Sequence, residues 1–295
     1  MTDSSTVIPA PAAQPVVVRR TRRRVSGTTV ALGALGVGVI TAVVAPVLWP
    51  LDQTAVDLAA INQPPSFAHP AGLDSLGRDV LHRSLYGLRV SLLVGVVAAL
   101  VATVVGTFIG GVAAVAGGRV DRVCMRTIDA LSSLPHLLVG IFIVAMLRPG
   151  LGAVVASVGL THWLSTARIV RAEILSLRTR TFVDAAISGG ATRRRILRRH
   201  LLPHVAPQVL LATTLLIPHA IWHETALSFL GLGLPPHLAS LGNMVSDGRA
   251  SLLTGGWWAS LAPGAVLVVL ALAIATVTGH WRERLNPRTR DELHL

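Results

Sequence analysis

An all-α chain that crosses a membrane six times is the fold class predicted by this 295-residue sequence, and three observations lead there. The chain is 52% hydrophobic and only 14% charged, whereas ordinary soluble domains carry about 25% charged residues. Its mean hydropathy is +0.64. Six long stretches contain no Asp, Glu or Arg, and the arginines gather between alternate pairs of them.

The stretches run from Val25 to Leu51, Val90 to Gly118, Ala130 to Leu147, Pro149 to Ala167, His200 to His223 and Ala250 to Trp281. A helix rising about 1.5 Å per residue needs roughly 20 apolar residues to cross a hydrocarbon layer of about 30 Å. With no water there, each backbone N–H and C=O must be bonded within its own segment, which selects helices over buried strands. The third and fourth stretches are short and meet at Arg148-Pro149-Gly150, a tight turn between paired helices. Pro203, Pro207 and Pro218 are expected to kink the fifth or trim its start. The first 18 residues, rich in Pro, Ala, Ser and Thr, read as a disordered tail. An arginine cluster ahead of the first stretch also suggests a cleaved secretory signal. Against that, the stretch is longer than the ~7–15 residue core of a signal peptide and lacks a clean small-x-small cleavage site.

Charge sets orientation, because short loops rich in basic residues stay on the cytoplasmic side. With the N-terminus inside, 21 of the 26 arginines fall on inner segments and five on outer ones, Arg78, Arg83, Arg89, Arg148 and Arg249. Both termini are therefore expected in the cytoplasm. The organisation read from this is a basic tail over 1–24, a first span over 25–51, an extracytoplasmic segment over 52–89, a five-helix core over 90–281 with an inner loop near 168–203, and a tail over 282–295.

Composition also excludes functions. The chain has no lysine, so it contains no GxxxxGK[ST] loop to hold nucleotide phosphates. The net charge of +12 lies between apolar blocks rather than along a stripe of a soluble fold, which argues against a nucleic-acid partner and for the lipid bilayer. A single cysteine, Cys124, excludes an internal disulfide or a cysteine-rich zinc site.

The inner loop from Arg168 to Arg199 is the most informative segment. Thr181 followed by Asp184 has capping-box spacing. Phe182, Val183, Ala186, Ile187 and Gly190 then recur at helical spacing, and Gly189-Gly190 ends the helix. Thr192 caps a second helix carrying Arg193, Arg194, Arg195, Arg198 and Arg199. Arginines at lipid headgroups are the plain reading of this loop. The small residues Ala185, Ala186 and Gly190 favour close approach by another protein.

Asp184-Ala185-Ala186, Gly190 and Leu202-Pro203 together resemble the EAA loop of ABC-importer permeases, E-A-A-x3-G-x9-I-x-L-P, with its spacing intact. Asp184 stands in place of Glu and His200 in place of Ile. His69-Pro70-x-Gly72-x-Asp74-x-x-Gly77-Arg78-Asp79-Val80 and Tyr86-Gly87-x-Arg89-Val90-Ser91-Leu92 are similar to the segment before the second span in dipeptide, oligopeptide and nickel importers. Leu227 to Gly233, Pro235-Pro236 and Asp247-Gly248-Arg249 are similar to an outer segment of the same branch, with Leu241 and Asn243 departing from it. The resemblance covers roughly residues 30 to 290 and implies the type I importer permease architecture. It implies a second permease as heterodimer partner, two cytoplasmic ABC ATPases, an extracytoplasmic solute-binding protein and no cofactor. Thr181 to Gly190 would be the coupling helix, and the solute a peptide, with nickel or another small solute as alternatives.

Ionisable groups within spans are functional candidates by default. Here they are His136, His162, His219 and His223, with Glu224 beside the last. They have the chemistry to line a solute path or bind nickel, although a histidine donating to a neighbouring carbonyl is commoner, and no metal ligand is assigned. His223-Glu224 begins like H-E-x-x-H, but residue 227 is Leu, which argues against a metalloprotease. Ser132 or Ser133 with His162 would suit an intramembrane hydrolase, yet no Gly-x-Ser-x-Gly context supports one. Gly106-x-x-x-Gly110 suits close helix packing.

Overall fold

Helices make up nearly all the regular structure in the computed structural model, which describes residues 27–48, 50 and 55–285. The expected N-terminal tail and the last residues of the C-terminal one lie outside the described residues. In chain order the helices are α1 (Gly27–Leu48), α2 (Val80–Ala116), α3 (Gly118–Ser132), α4 (His136–Leu147), α5 (Leu151–Leu177), α6 (Thr181–Ser188), α7 (Arg193–Ile196), α8 (Leu202–Phe229), α9 (Leu241–Leu252) and α10 (Trp258–Leu285). Among the described residues five apolar helical stretches are long enough to cross a membrane, and the α3–α4 pair makes a sixth if it is one broken span.

That pair departs from the straight helix expected over Ala130 to Leu147. Its axes bend by 88° across Ser133-Leu134-Pro135. Pro135 cannot donate a backbone hydrogen bond and disfavours helical geometry at Leu134, so the chain breaks there and restarts at His136. The turn expected at Arg148-Pro149-Gly150 is present, with Arg148 at φ +68°.

Helix α2 is central. It starts ten residues before Val90 because Asp79 caps it, its carboxylate accepting from the His82 N–H at 2.8 Å. At about 1.5 Å per residue its 37 residues are longer than a hydrocarbon layer of about 30 Å requires. Helix α5 packs along it. A Cβ on Gly106 would come 2.6 Å from the Thr166 Cβ, and one on Gly110 would strike the Ala167 carbonyl oxygen. Gly106 and Gly110 thus set the closeness of these two helices, as small residues do where helices pack in lipid. Helix α1 contributes Ala42 to a core with Leu88, Ile221, Leu241, Leu270 and Ile274, while Val30, Val37, Ile40 and Val43 are exposed.

The basic helix expected after Thr192 is not separate from the fifth span. Thr192 does cap it, accepting from the Arg195 N–H at 3.3 Å. From there α7, a π-helical turn over Leu197–Leu201 and α8 run on without a break. Pro203 follows the π-helical turn directly, and Pro207 and Pro218 lie inside α8 without ending it.

Candidate functional site

Helix α6 is joined to the bundle by three devices. The Arg178 guanidinium donates to the Ala114 carbonyl at the end of α2, at 2.7 Å. Val183, 3% exposed, enters a core made of Ala114, Val170, Ile174, Ile196, Leu201 and Val205. Phe182 stacks on His204 of α8 with ring centroids 5.0 Å apart and planes 17° from parallel. An eight-residue helix is too short to be stable alone, so these contacts hold it.

The structure distributes the motif residues over two faces. Asp184 and Ala185 are exposed, and Asp184 has no side-chain hydrogen bond or ion pair among the described residues. Ala186 is half-buried against the core, whereas Ile187, expected on the apolar face, is 57% exposed. The reason is geometric: Val183 and Phe182 point the inward side one way, and Ile187 falls on its edge. Thr181 is the first helical residue rather than the cap. Arg180 occupies the cap position without a side-chain bond, so the capping box does not form. Asp184 keeps a place in the first turn, where a carboxylate favours the helix dipole.

Gly189 closes α6, and Gly190 takes φ +77°. The Ala191 N–H donates back to the Ala186 carbonyl at 3.0 Å, and the Gly190 N–H to that of Ile187 at 2.9 Å, which satisfies the helix end. A Cβ on Gly190 would meet nothing within 4 Å, so backbone conformation rather than close packing within the chain requires glycine. Leu202 and Pro203 stand apart from Asp184. Leu202 is half-buried and faces a separate cavity of about 710 Å³ beside Thr103, Thr107 and Phe108 of α2, while Pro203 is exposed.

The other end of α2 holds a charged network that sequence reasoning placed at lipid headgroups. Arg78 and Arg83 are instead buried, their side chains 9% and 1% exposed. Asp74 accepts from the backbone N–H groups of Leu76 and Arg78, each at 2.9 Å, and from the Arg78 Nε at 2.7 Å. Asp247 of α9 lies 3.4 Å from Arg78 and 3.9 Å from Arg83. Burial raises the Asp247 pKa above the usual carboxylate range, opposed by the two guanidiniums. His69 and Asp79 meet at 2.7 Å beside it.

Within the spans, Glu224 is wholly buried and accepts from Ser228 at 2.9 Å and Ser91 at 3.2 Å. Ser132 accepts from Arg168 at 2.9 Å, and Ser133 donates to the Ala130 carbonyl. Neither serine pairs with His162, whose Nδ1 is bonded at Val158 and Thr161. The nucleophile–base pair that a hydrolase needs is not formed by these residues. His136, His162 and His223 do converge, which their places on three different helices concealed in the sequence.

Comparison with known proteins agrees with this geometry. Residues 102–291 match the family described as binding-protein-dependent transport system inner membrane component. The dipeptide transport system permease protein DppC of Bacillus subtilis (strain 168) is 39% identical over 251 residues, covering 85% of this chain and 78% of that protein. The oligopeptide transport system permease protein OppC of the same organism is 35% identical over 252 residues, covering 85% and 82%. A putative peptide transport system permease protein of Brucella suis biovar 1 is 39% identical over 280 residues, covering 94% of each chain. Among solved structures, an inward-facing MetNI methionine ABC transporter chain aligns with a TM-score of 0.57 at 18% identity, over 68% of this chain and 94% of that one. At that identity the likeness is one of fold.

Proposed function

Since the chain belongs to the family of binding-protein-dependent transport system inner membrane components, the membrane permeases of ABC importers, we propose that it forms half of a pathway for peptides. The other half is a second, different permease. Two cytoplasmic ABC ATPases drive the pair, and an extracytoplasmic binding protein delivers the solute. The peptide relatives support the choice of cargo. The arginine asymmetry supports a multi-pass topology with both termini in the cytoplasm.

One observation carries the coupling role: α6 presents Asp184, Ala185 and Ile187 outward while Val183 and Phe182 bind its inner side to α5, α7 and α8. A short helix that is exposed on one face and seated in the spans on the other works as a handle. An ATPase surface that grips it differently when open and closed has the differential affinity needed to bias inward- and outward-facing states.

The test is peptide uptake and ATP hydrolysis by the reconstituted transporter carrying Gly190→Arg. Uptake is expected to fall while ATPase activity persists and the complex stays soluble and assembled; unchanged uptake would count against the coupling role. Reporter fusions after Leu147 and Gly255 are expected to read outside, and fusions after Ala191 and Leu295 inside. A cytoplasmic signal after Gly255 would overturn the topology.

A further inference from the structure

Three histidines from three helices meet inside the bundle: His136 at the first turn of α4, His162 in the middle of α5 and His223 in α8. One ring nitrogen from each lies within 4.8 Å of the other two. The ring centroids are 4.9 to 5.6 Å apart.

The surroundings are those of a ligand set. The His162 Nδ1 lies 3.1 Å from the Val158 carbonyl and 2.9 Å from the Thr161 hydroxyl, which itself lies 2.8 Å from the Ser157 carbonyl. With both neighbours acting as acceptors, the network assigns the proton to Nδ1 and leaves a lone pair on Nε2. Metal-binding histidines are commonly oriented by such a bond from the second nitrogen to a carbonyl. His223 is wholly buried, and neither ring nitrogen has a hydrogen-bond partner among the described residues. Leaving both unpaired in an apolar interior is unfavourable unless something else engages them. Gly140 makes the convergence possible, because a Cβ there would come 2.7 Å from the Ser157 Oγ and 3.4 Å from the His223 ring. A cavity of about 270 Å³ opens beside the cluster, lined by His136, His162 and His219 among others. The nearby Arg168 is engaged by Asp129 at 3.0 Å, which reduces its repulsion of a cation.

We propose that His136, His162 and His223 form a binding site for one borderline divalent transition-metal ion of the Zn²⁺, Ni²⁺ or Co²⁺ class. Neutral imidazoles suit these ions and not Mg²⁺ or Ca²⁺, which prefer oxygen. Metal–nitrogen bonds of about 2.0–2.1 Å require the rings to draw together from their present spacing, by side-chain rotation and a small shift of α4. The break at Ser133-Leu134-Pro135 permits that shift. Three protein ligands leave a coordination position open towards the cavity. A bound ion thereby ties the short helix α4 to α5 and α8.

The test uses the full-length chain purified with its partner subunits, with a tag free of histidine, titrated with Co²⁺ in detergent. The expected result is one saturable ion per chain with the visible absorption of nitrogen-ligated Co²⁺, displaced by Zn²⁺ and untouched by excess Mg²⁺. His136→Gln is expected to weaken binding by at least about tenfold, as loss of metal-site interactions does. His237→Gln, at an exposed histidine in the loop before α9, leaves binding unchanged. His136 is exposed, so its variant keeps the test valid even where His223→Gln fails to fold. No saturable binding, or equal binding by the His136 and His237 variants, overturns the site. Either result leaves the permease assignment standing, since that rests on the family match.

Discussion

The two ends of α2 treat charge in opposite ways. At its start, Asp74, Arg78, Arg83 and Asp247 are drawn together and largely buried, each carboxylate facing a guanidinium. At its far end, α6, α7 and the π-helical turn leave Asp184, Arg194, Arg195, Arg198 and Arg199 exposed. The first arrangement pairs its charges within the chain, Arg83 being held by charge at 3.9 Å without a hydrogen bond among the described residues, and it ties the segment before α2 to α9. The second leaves its charges exposed above a backbone fixed from beneath, which suits the docking role proposed for it. Burial of charge therefore distinguishes the two regions, although both are rich in arginine.

The strongest way to break this comparison is at the closed end. Asp74→Ala leaves Arg78 and Arg83 short of a buried counter-charge, and removing one partner of a buried ion pair costs about 3–5 kcal/mol. Thermal unfolding in detergent is expected to show that loss; a shift as small as that of a surface variant would mean the network is solvated. The equivalent change at the open end, Asp184→Ala, is expected to move stability by only about 0.3–1 kcal/mol through the helix dipole, while peptide uptake falls.

Between these lies Gly190, whose φ of +77° is a backbone demand. Gly190→Val is expected to cost about 1–2 kcal/mol, the steric penalty of a left-handed residue. Gly190→Asn recovers most of it, because Asn visits this region readily. Equal melting of the two variants would refute the conformational account.

The smallest effect is the pH dependence at Asp247. Burial raises its folded pKa above the unfolded one, so the folded state binds more protons between the two values. Its contribution to stability is therefore greatest below the ordinary carboxylate pKa and declines as pH rises through the raised folded value. Subtracting the melting curve of Asp247→Asn from that of the unaltered chain, pH by pH, isolates this slope. A difference that grows more favourable with rising pH would contradict the sign.

Much of the molecule was legible before any coordinates. Long apolar stretches and the spacing from Asp184 to Pro203 are one-dimensional properties, and a bilayer turns the apolar stretches directly into helices. Element ends were less legible. The start of α2 was hidden because Asp79 caps a turn rich in polar residues, and the α3–α4 bend because one proline looks the same whether it kinks a span or divides it. Thr181 and Asp184 have capping-box spacing, yet the chain enters α6 at Arg180 and the bonds are not made.

Chain order determined that this protein spans a membrane and which family it joins, because hydropathy and motif spacing need only neighbouring residues. Tertiary structure decided which charges are closed and which are open. Arg78 meets Asp247 across 169 residues, and three histidines from α4, α5 and α8 converge. Periodicity shows that a residue faces inward; only helix packing, set here by Gly106, Gly110 and Gly140, decides what it faces.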